Sequence, residues 1–229
     1  IHILIGTHAL IEENVVFSAL GLVITDEQHR FGVKQRQALE SKGKSPHVLI
    51  MTATPIPRTM ALSVYGDLDV SFIKGMPPGR HPVKTYVVGS HMLQRIFRFM
   101  KKEMESGHQA YVVCPLVEQS EKQDLAAAVS VYENLRDHVF PQFGVGLVHG
   151  RMKNAEKEQV MEDFRKGKFK LLVATSVIEV GVNVPDATVM FVYGADRFGL
   201  SQLHQLRGRV GRGKEQAYCV LYTDNQNET

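Results

Sequence analysis

The sequence predicts an α/β protein of two parallel-sheet lobes, the first incomplete and the second nearly whole. Three observations predict this. Apolar, β-rich runs alternate with helix-period segments along almost the whole chain, which is the pattern of parallel strands covered by helices. One stretch, Gly75-Met76-Pro77-Pro78-Gly79-Arg80-His81-Pro82, packs three prolines and two glycines into eight residues, so it is neither helix nor central strand and marks a boundary. Residues able to do chemistry stand directly after apolar runs, where open parallel sheets place their sites.

Taken in order, the first lobe (1–76) has strands expected at 1–5, 22–25 and 48–51, too few for a complete doubly wound sheet. A linker follows at 77–84, and the second lobe occupies 85–229. There the alternation predicts a strand at 85–88, then a helix at 92–105 with Ile96, Phe97, Met100 and Met104 on one face. A strand at 110–114, a helix at 124–139 and a strand at 144–148 come next. The remainder reads as a helix at 154–165, strands at 170–174 and 188–192, a helix near 200–207 and a strand at 217–221.

Composition bounds the function. With 44% hydrophobic residues in 229, the chain has ample material for packed cores. It contains no run of about 18 uninterrupted apolar residues and no charged-then-apolar leader, so the expectation is a cytoplasmic protein with no membrane partner. Cys114 and Cys219 lie in strand-like runs without metal-ligand spacing and read as buried thiols. The net charge of +3 does not by itself indicate nucleic acid, but its distribution is uneven. From Arg197 to Lys214 there are five basic side chains and no acid, with Gly208, Gly211 and Gly213 interleaved. Glycine weakens helices, so this is not an ordinary solvated helix face.

Asp26-Glu27-Gln28-His29 follows the apolar run 20–24. A carboxylate there can hold the hydration shell of Mg²⁺ while its neighbour polarises a water for attack on a γ-phosphate. A strand at 48–51 runs into Thr52-Ala53-Thr54-Pro55, which places two hydroxyls at the same sheet edge. In the second lobe Thr175 and Ser176 follow a strand, and His149-Gly150 follows another; hydroxyls and free amides at such points bind phosphodiester oxygens without reading base sequence. Arg209 and Arg212, three apart and expected on one side of a helical turn, offer bidentate donors to phosphate. The octet 38–45 mimics a phosphate loop, but it follows a helix-like segment and leads through Pro46 into a strand. It reads as an exposed basic loop. With no other candidate phosphate loop, the nucleotide site of the first lobe is expected to be incomplete at its amino end.

With these residues placed, the chain resembles the helicase core of superfamily two, and within it the RecG family of ATP-dependent branched-DNA helicases. Five ordered blocks carry the resemblance: 6–10, 26–33, 52–59, 174–187 and 202–213. It implies two RecA-like lobes that use ATP and Mg²⁺. Asp26 would bind Mg²⁺ through water, Glu27 would activate the attacking water, and Gln28, His29, Thr52 and Thr54 would couple nucleotide state to motion. Gln205, Arg209 and Arg212 would face the triphosphate, with Asn183 near the ribose and Gly181 also among the nucleotide-binding residues. Gly6, Thr7, His8, His149, Gly150 and Thr175 would contact the DNA backbone.

Transcription-repair coupling translocases share the block at 52–59 but usually carry Glu where this chain has Gln28. Thr25 and Asn183 depart from the commoner aliphatic residue and Asp. The resemblance also implies a monomer acting on forked or Holliday-type DNA in recombination and repair. It adds contacts to a wedge domain and to a phosphate-loop half-lobe not among these 229 residues, and hence a fragment that does not hydrolyse ATP alone. The alternatives are a non-catalytic DNA-binding module, a transcription-repair coupling translocase relative, or a metal phosphohydrolase built on Asp26 and Glu27.

Overall fold

A computed structural model of the chain describes residues 2–26, 38–39, 41–52, 69–73, 75, 79–115, 121–175 and 184–224, with His8 and 121–124 described by backbone alone. The chain divides into two compact units, Ile1–Val70 and Ser71–Thr229.

In the first unit, strands β1 (Leu22–Thr25) and β2 (His47–Ile50) pair in parallel, from Leu22 opposite His47 to Thr25 opposite Ile50. The alternation of side chains across a strand buries Val23 and Thr25 and exposes Leu22 and Ile24. The loop before β2 is tied down by Lys42, whose ammonium donates to the carbonyls of Glu12 (2.6 Å) and Val15 (2.8 Å). The strand expected at 1–5 does not form among the described residues 2–5. Ile3 and Ile5 are exposed, and a short 3₁₀ helix follows at His8–Ile11. An apolar run becomes a strand only with a ladder partner, and among the described residues this sheet contains β1 and β2 alone.

The second unit is a six-stranded, wholly parallel sheet in the order β3-β8-β7-β4-β6-β5. Its strands are β3 (Lys84–Val88), β4 (Gln109–Cys114), β5 (Val145–Val148), β6 (Leu171–Thr175), β7 (Ala187–Val192) and β8 (Tyr218–Tyr222). Every residue of β4, β6 and β7 is buried, as expected of central strands covered on both faces. Helices α1 (Leu93–Glu105) and α2 (Glu121–Asn134) cover one face; α3 (Asn154–Arg165) and α4 (Leu200–Arg207) cover the other. Alternate residues of β4 serve the two layers, with Val112 packed among the residues of α1 and Tyr111 edge-on to Phe164 of α3 at 5.0 Å. Ile96, Phe97, Met100 and Met104 form the buried face of α1, as their spacing predicts.

The helix expected over 124–139 begins earlier and stops at Asn134. It widens into a π turn at Leu135–Val139, closed by the amide of Phe140 on the carbonyl of Leu135 at 2.8 Å. The wider turn lets both Leu135 and Phe140 enter the core, where neither keeps more than 1% exposure. Buried Gln109 begins β4 by donating from its amide to the carbonyls of Phe164 (2.6 Å) and Phe169 (2.8 Å), locking the end of α3 to the sheet.

Candidate functional site

The parallel sheet of the second unit gives two separate groups of chemistry-bearing residues, one at each end of its strands. At the carboxyl ends, β5 and β6 pair through Val148 and Ala174, so His149 and Thr175 occupy the next step of the same register. The Nδ1 atom of His149 and the hydroxyl of Thr175 are buried, and neither has a hydrogen-bond partner among the described residues. Each such orphan costs about 1–3 kcal/mol, so two on adjacent strand ends form an unusual concentration of unmet polarity. Burial, and then the charges of Lys157 and Arg151, hold the imidazole pKa below the ordinary histidine value against a weaker pull from Glu156, which favours the neutral ring. Gly150 lies exposed beside it, its carbonyl accepting from the Lys157 ammonium at 3.0 Å.

At the opposite ends of the strands lies the arginine-glycine turn. Helix α4 ends at Arg207, whose guanidinium donates to His204 Nδ1 at 3.0 Å, and the amide of Gly208 closes the last turn on the carbonyl of His204. Arg209 and Arg212 therefore do not share a helical turn, as their spacing suggests they would. The chain leaves the helix at Gly208 and takes a left-handed residue at Gly211 (φ +73°), and Arg212 Nε folds back to the Gly208 carbonyl at 3.3 Å. The two guanidiniums nevertheless lie within electrostatic reach of one another and of the Tyr111 phenol. Burial is the main cause that lowers the Arg212 pKa, followed by the positive charges of Arg209 and Arg80. The Tyr111 phenol is pushed up to about 12 by burial, against a downward pull from Arg212 and Arg209. Neither Arg209 nor Arg212 pairs with a carboxylate among the described residues. Gln205 is half-buried on α4, one turn earlier.

Tyr111 and Arg80 are members of this group that sequence reasoning misses. Tyr111 sits in a run legible only as core, and Arg80 in a segment legible only as linker. The turn is pressed against the backbone leading into β7: a Cβ on Gly213 would lie 2.6 Å from the Pro185 carbonyl oxygen. Gly213→Ala is expected to destabilise the second unit by about 1–3 kcal/mol in urea unfolding. Gly208→Ala, whose Cβ would meet nothing closer than 3.4 Å, should change the midpoint little.

In the first unit, Asp26 directly follows β1 and is exposed, and Thr52 lies two residues past the end of β2, so their parallel pairing brings both to one sheet edge. A single exposed carboxylate suits a Mg²⁺ ion that keeps its waters, since this ion dehydrates reluctantly and takes few protein ligands. Gly6 is exposed in extended chain, and the carbonyl of Thr7 accepts from the Leu10 amide at 3.0 Å as the 3₁₀ helix of His8 begins. Glu27, Gln28, His29, Thr54, Gly181 and Asn183 lie outside the described residues. Among the described residues no group of three or more His, Cys, Asp or Glu side chains is placed to hold a metal, and no helix is long and apolar enough to cross a membrane.

A parallel α/β unit with a neighbouring pair of arginines beyond its strands defines a class, and comparison with known proteins identifies it. The helicase conserved C-terminal domain matches residues 90–214, more than half of the chain, and the chain belongs to that family. The DEAD/DEAH box helicase family matches residues 1–62. Within this class the chain is RecG-like. It is 57% identical over its whole length to the ATP-dependent DNA helicase RecG of Bacillus subtilis (strain 168), covering 34% of that protein. A solved structure of RecG bound to a three-way DNA junction matches 96% of this chain and 28% of its own, with 50% identity and a TM-score of 0.73. The chain thus spans about a third of the length of the relatives it matches. Dbp5 of S. cerevisiae, solved with RNA and ADP BeF3, shares the fold alone, at 12% identity and a TM-score of 0.64 over 96% of this chain and 57% of its own.

Proposed function

We propose that this chain is the motor segment of an ATP-dependent DNA helicase or translocase that remodels forked and Holliday-type DNA in recombination and repair. The observation that carries the reading is the pair Arg209 and Arg212, held together beside buried Tyr111 with no carboxylate partner among the described residues. Neighbouring guanidiniums repel one another, and a bound polyphosphate relieves that repulsion while it is gripped in bidentate fashion.

On this reading Arg209 and Arg212, with Gln205, grip the triphosphate, Asn183 serves the ribose and Gly181 helps bind the nucleotide. Through water Asp26 would hold Mg²⁺, which would supply charge neutralisation at the phosphates. Glu27 takes a proton from the attacking water as its oxygen bonds to the γ-phosphorus. The bond from that phosphorus to the β,γ-bridging oxygen breaks, leaving ADP and phosphate. Gln28, His29, Thr52 and Thr54 pass the change of state onward. His149, Gly150 and Thr175, with Gly6, Thr7 and His8, take the DNA backbone.

ATP hydrolysis measured for this chain and for the complete polypeptide, each with and without forked DNA, tests the proposal. Turnover is expected only from the complete polypeptide, stimulated by the fork. DNA binding without turnover in the complete polypeptide would instead identify a non-catalytic binding module.

A further inference from the structure

Helix α1 carries a cationic face that the sites above do not use. Its inward face fills the core with Ile96, Phe97, Met100 and Met104, and its outward face presents Arg95, Arg98, Lys101 and Lys102, all exposed. One acid of the helix opposes them there, Glu105, 3.9 Å from the Lys101 ammonium. The helix's other acid, Glu103, is turned inward and accepts from the Thr188 hydroxyl and contacts His108 Nδ1, both at 3.0 Å. Four cations to one acid is far from the near balance of the whole chain, 27 basic to 24 acidic residues. Arg95, Arg98 and Lys102, at steps of three and four, fall on one line along the helix.

We propose that this face of α1 is a second nucleic-acid contact, which grips the phosphates of duplex DNA beside the strand handled by the motor. It rests on the reading of the chain as a DNA motor. The geometry suits a duplex. Seven residues of helix separate Arg95 from Lys102, about 10 Å of axis, which matches about three phosphates of one strand at about 3.4 Å each. Single strands are held mainly by exposed aromatic platforms, whereas Phe97 is buried and Phe99 packs edge-on to Tyr218 at 4.9 Å. A lipid surface would need the apolar face of the helix, and the core occupies it.

The test is the salt dependence of binding by the complete polypeptide to a linear duplex and to one of its single strands. Comparison is between the natural protein, Arg95→Gln/Arg98→Gln/Lys102→Gln, and the charge-keeping Arg95→Lys/Arg98→Lys/Lys102→Arg. The glutamine variant is expected to flatten the log–log slope on duplex by about 2–3, close to 0.9 for each phosphate that is no longer neutralised. Its slope on single strands and its ATP hydrolysis without DNA should stay unchanged, and the charge-keeping variant should match the natural slope. An unchanged duplex slope, or an equal flattening on single strands, overturns the duplex contact and leaves the motor reading standing. A natural protein that binds neither probe overturns both.

Discussion

Replacing Arg209 with alanine is expected to lower DNA-stimulated ATP hydrolysis by the complete polypeptide about 10³- to 10⁵-fold, the range an arginine acting on a transferring phosphoryl group supplies. The expectation has a structural basis. Arg209 follows immediately on the Gly208 cap, its amide bonded to the Leu206 carbonyl at 3.0 Å, and Val210 beside it is buried. The backbone that carries the guanidinium is therefore fixed by α4, and truncating the side chain removes charge without loosening the turn. Arg209→Lys should recover little, because an ammonium keeps the charge and loses the planar fork. Steady-state turnover with saturating fork reads the effect, and fork affinity measured without nucleotide serves as the control. Turnover within a few-fold of the natural protein would remove Arg209 from the reaction.

The largest expected loss of stability comes from Phe164→Ala, at about 3–5 kcal/mol. Phe164 is wholly buried on the inner face of α3 and stacks edge-on against Tyr111 of β4, while its carbonyl accepts one of the two bonds from the Gln109 amide. Truncation leaves a void between α3 and the central strand, where parallel packing on both faces leaves little room for collapse. Urea unfolding followed by circular dichroism measures it. A loss below about 1 kcal/mol would show that this layer can close around the gap. Because Tyr111 lies beside Arg209 and Arg212, the same substitution should also weaken nucleotide binding at urea concentrations where the protein is still folded.

Much of the fold is legible in the residues because central parallel strands are monotonous. β4 and β7 are largely apolar runs, and α1 has an apolar stripe at helical spacing, so each declares its type locally. The segment 1–5 looks the same, yet its described residues form no strand, because pairing is a property of the partner and not of the run. Site geometry is less legible. The threefold spacing of Arg209 and Arg212 suggests a helical turn, whereas the glycines between and beside them end the helix first; Gly211 in its left-handed conformation is the signal to weigh. The adjacency of His149 and Thr175, 26 positions apart, depends on β5 pairing with β6, and strand order is not written in either strand. Arg80 and Tyr111 join the arginine group through packing across the sheet, for which a linear sequence has no notation.

The two residue groups of the second unit stand at opposite ends of one sheet and on different strands, the arginine turn against the starts of β3, β7 and β8, the histidine and threonine past the ends of β5 and β6. Parallel strands packed on both faces slip past their neighbours only by whole register steps, because any smaller slide breaks the ladder and misplaces every side chain. If the chain works as proposed, both groups ride on one continuous hydrogen-bonded sheet, so a shift of the arginine turn would carry the histidine and threonine along as part of a single body.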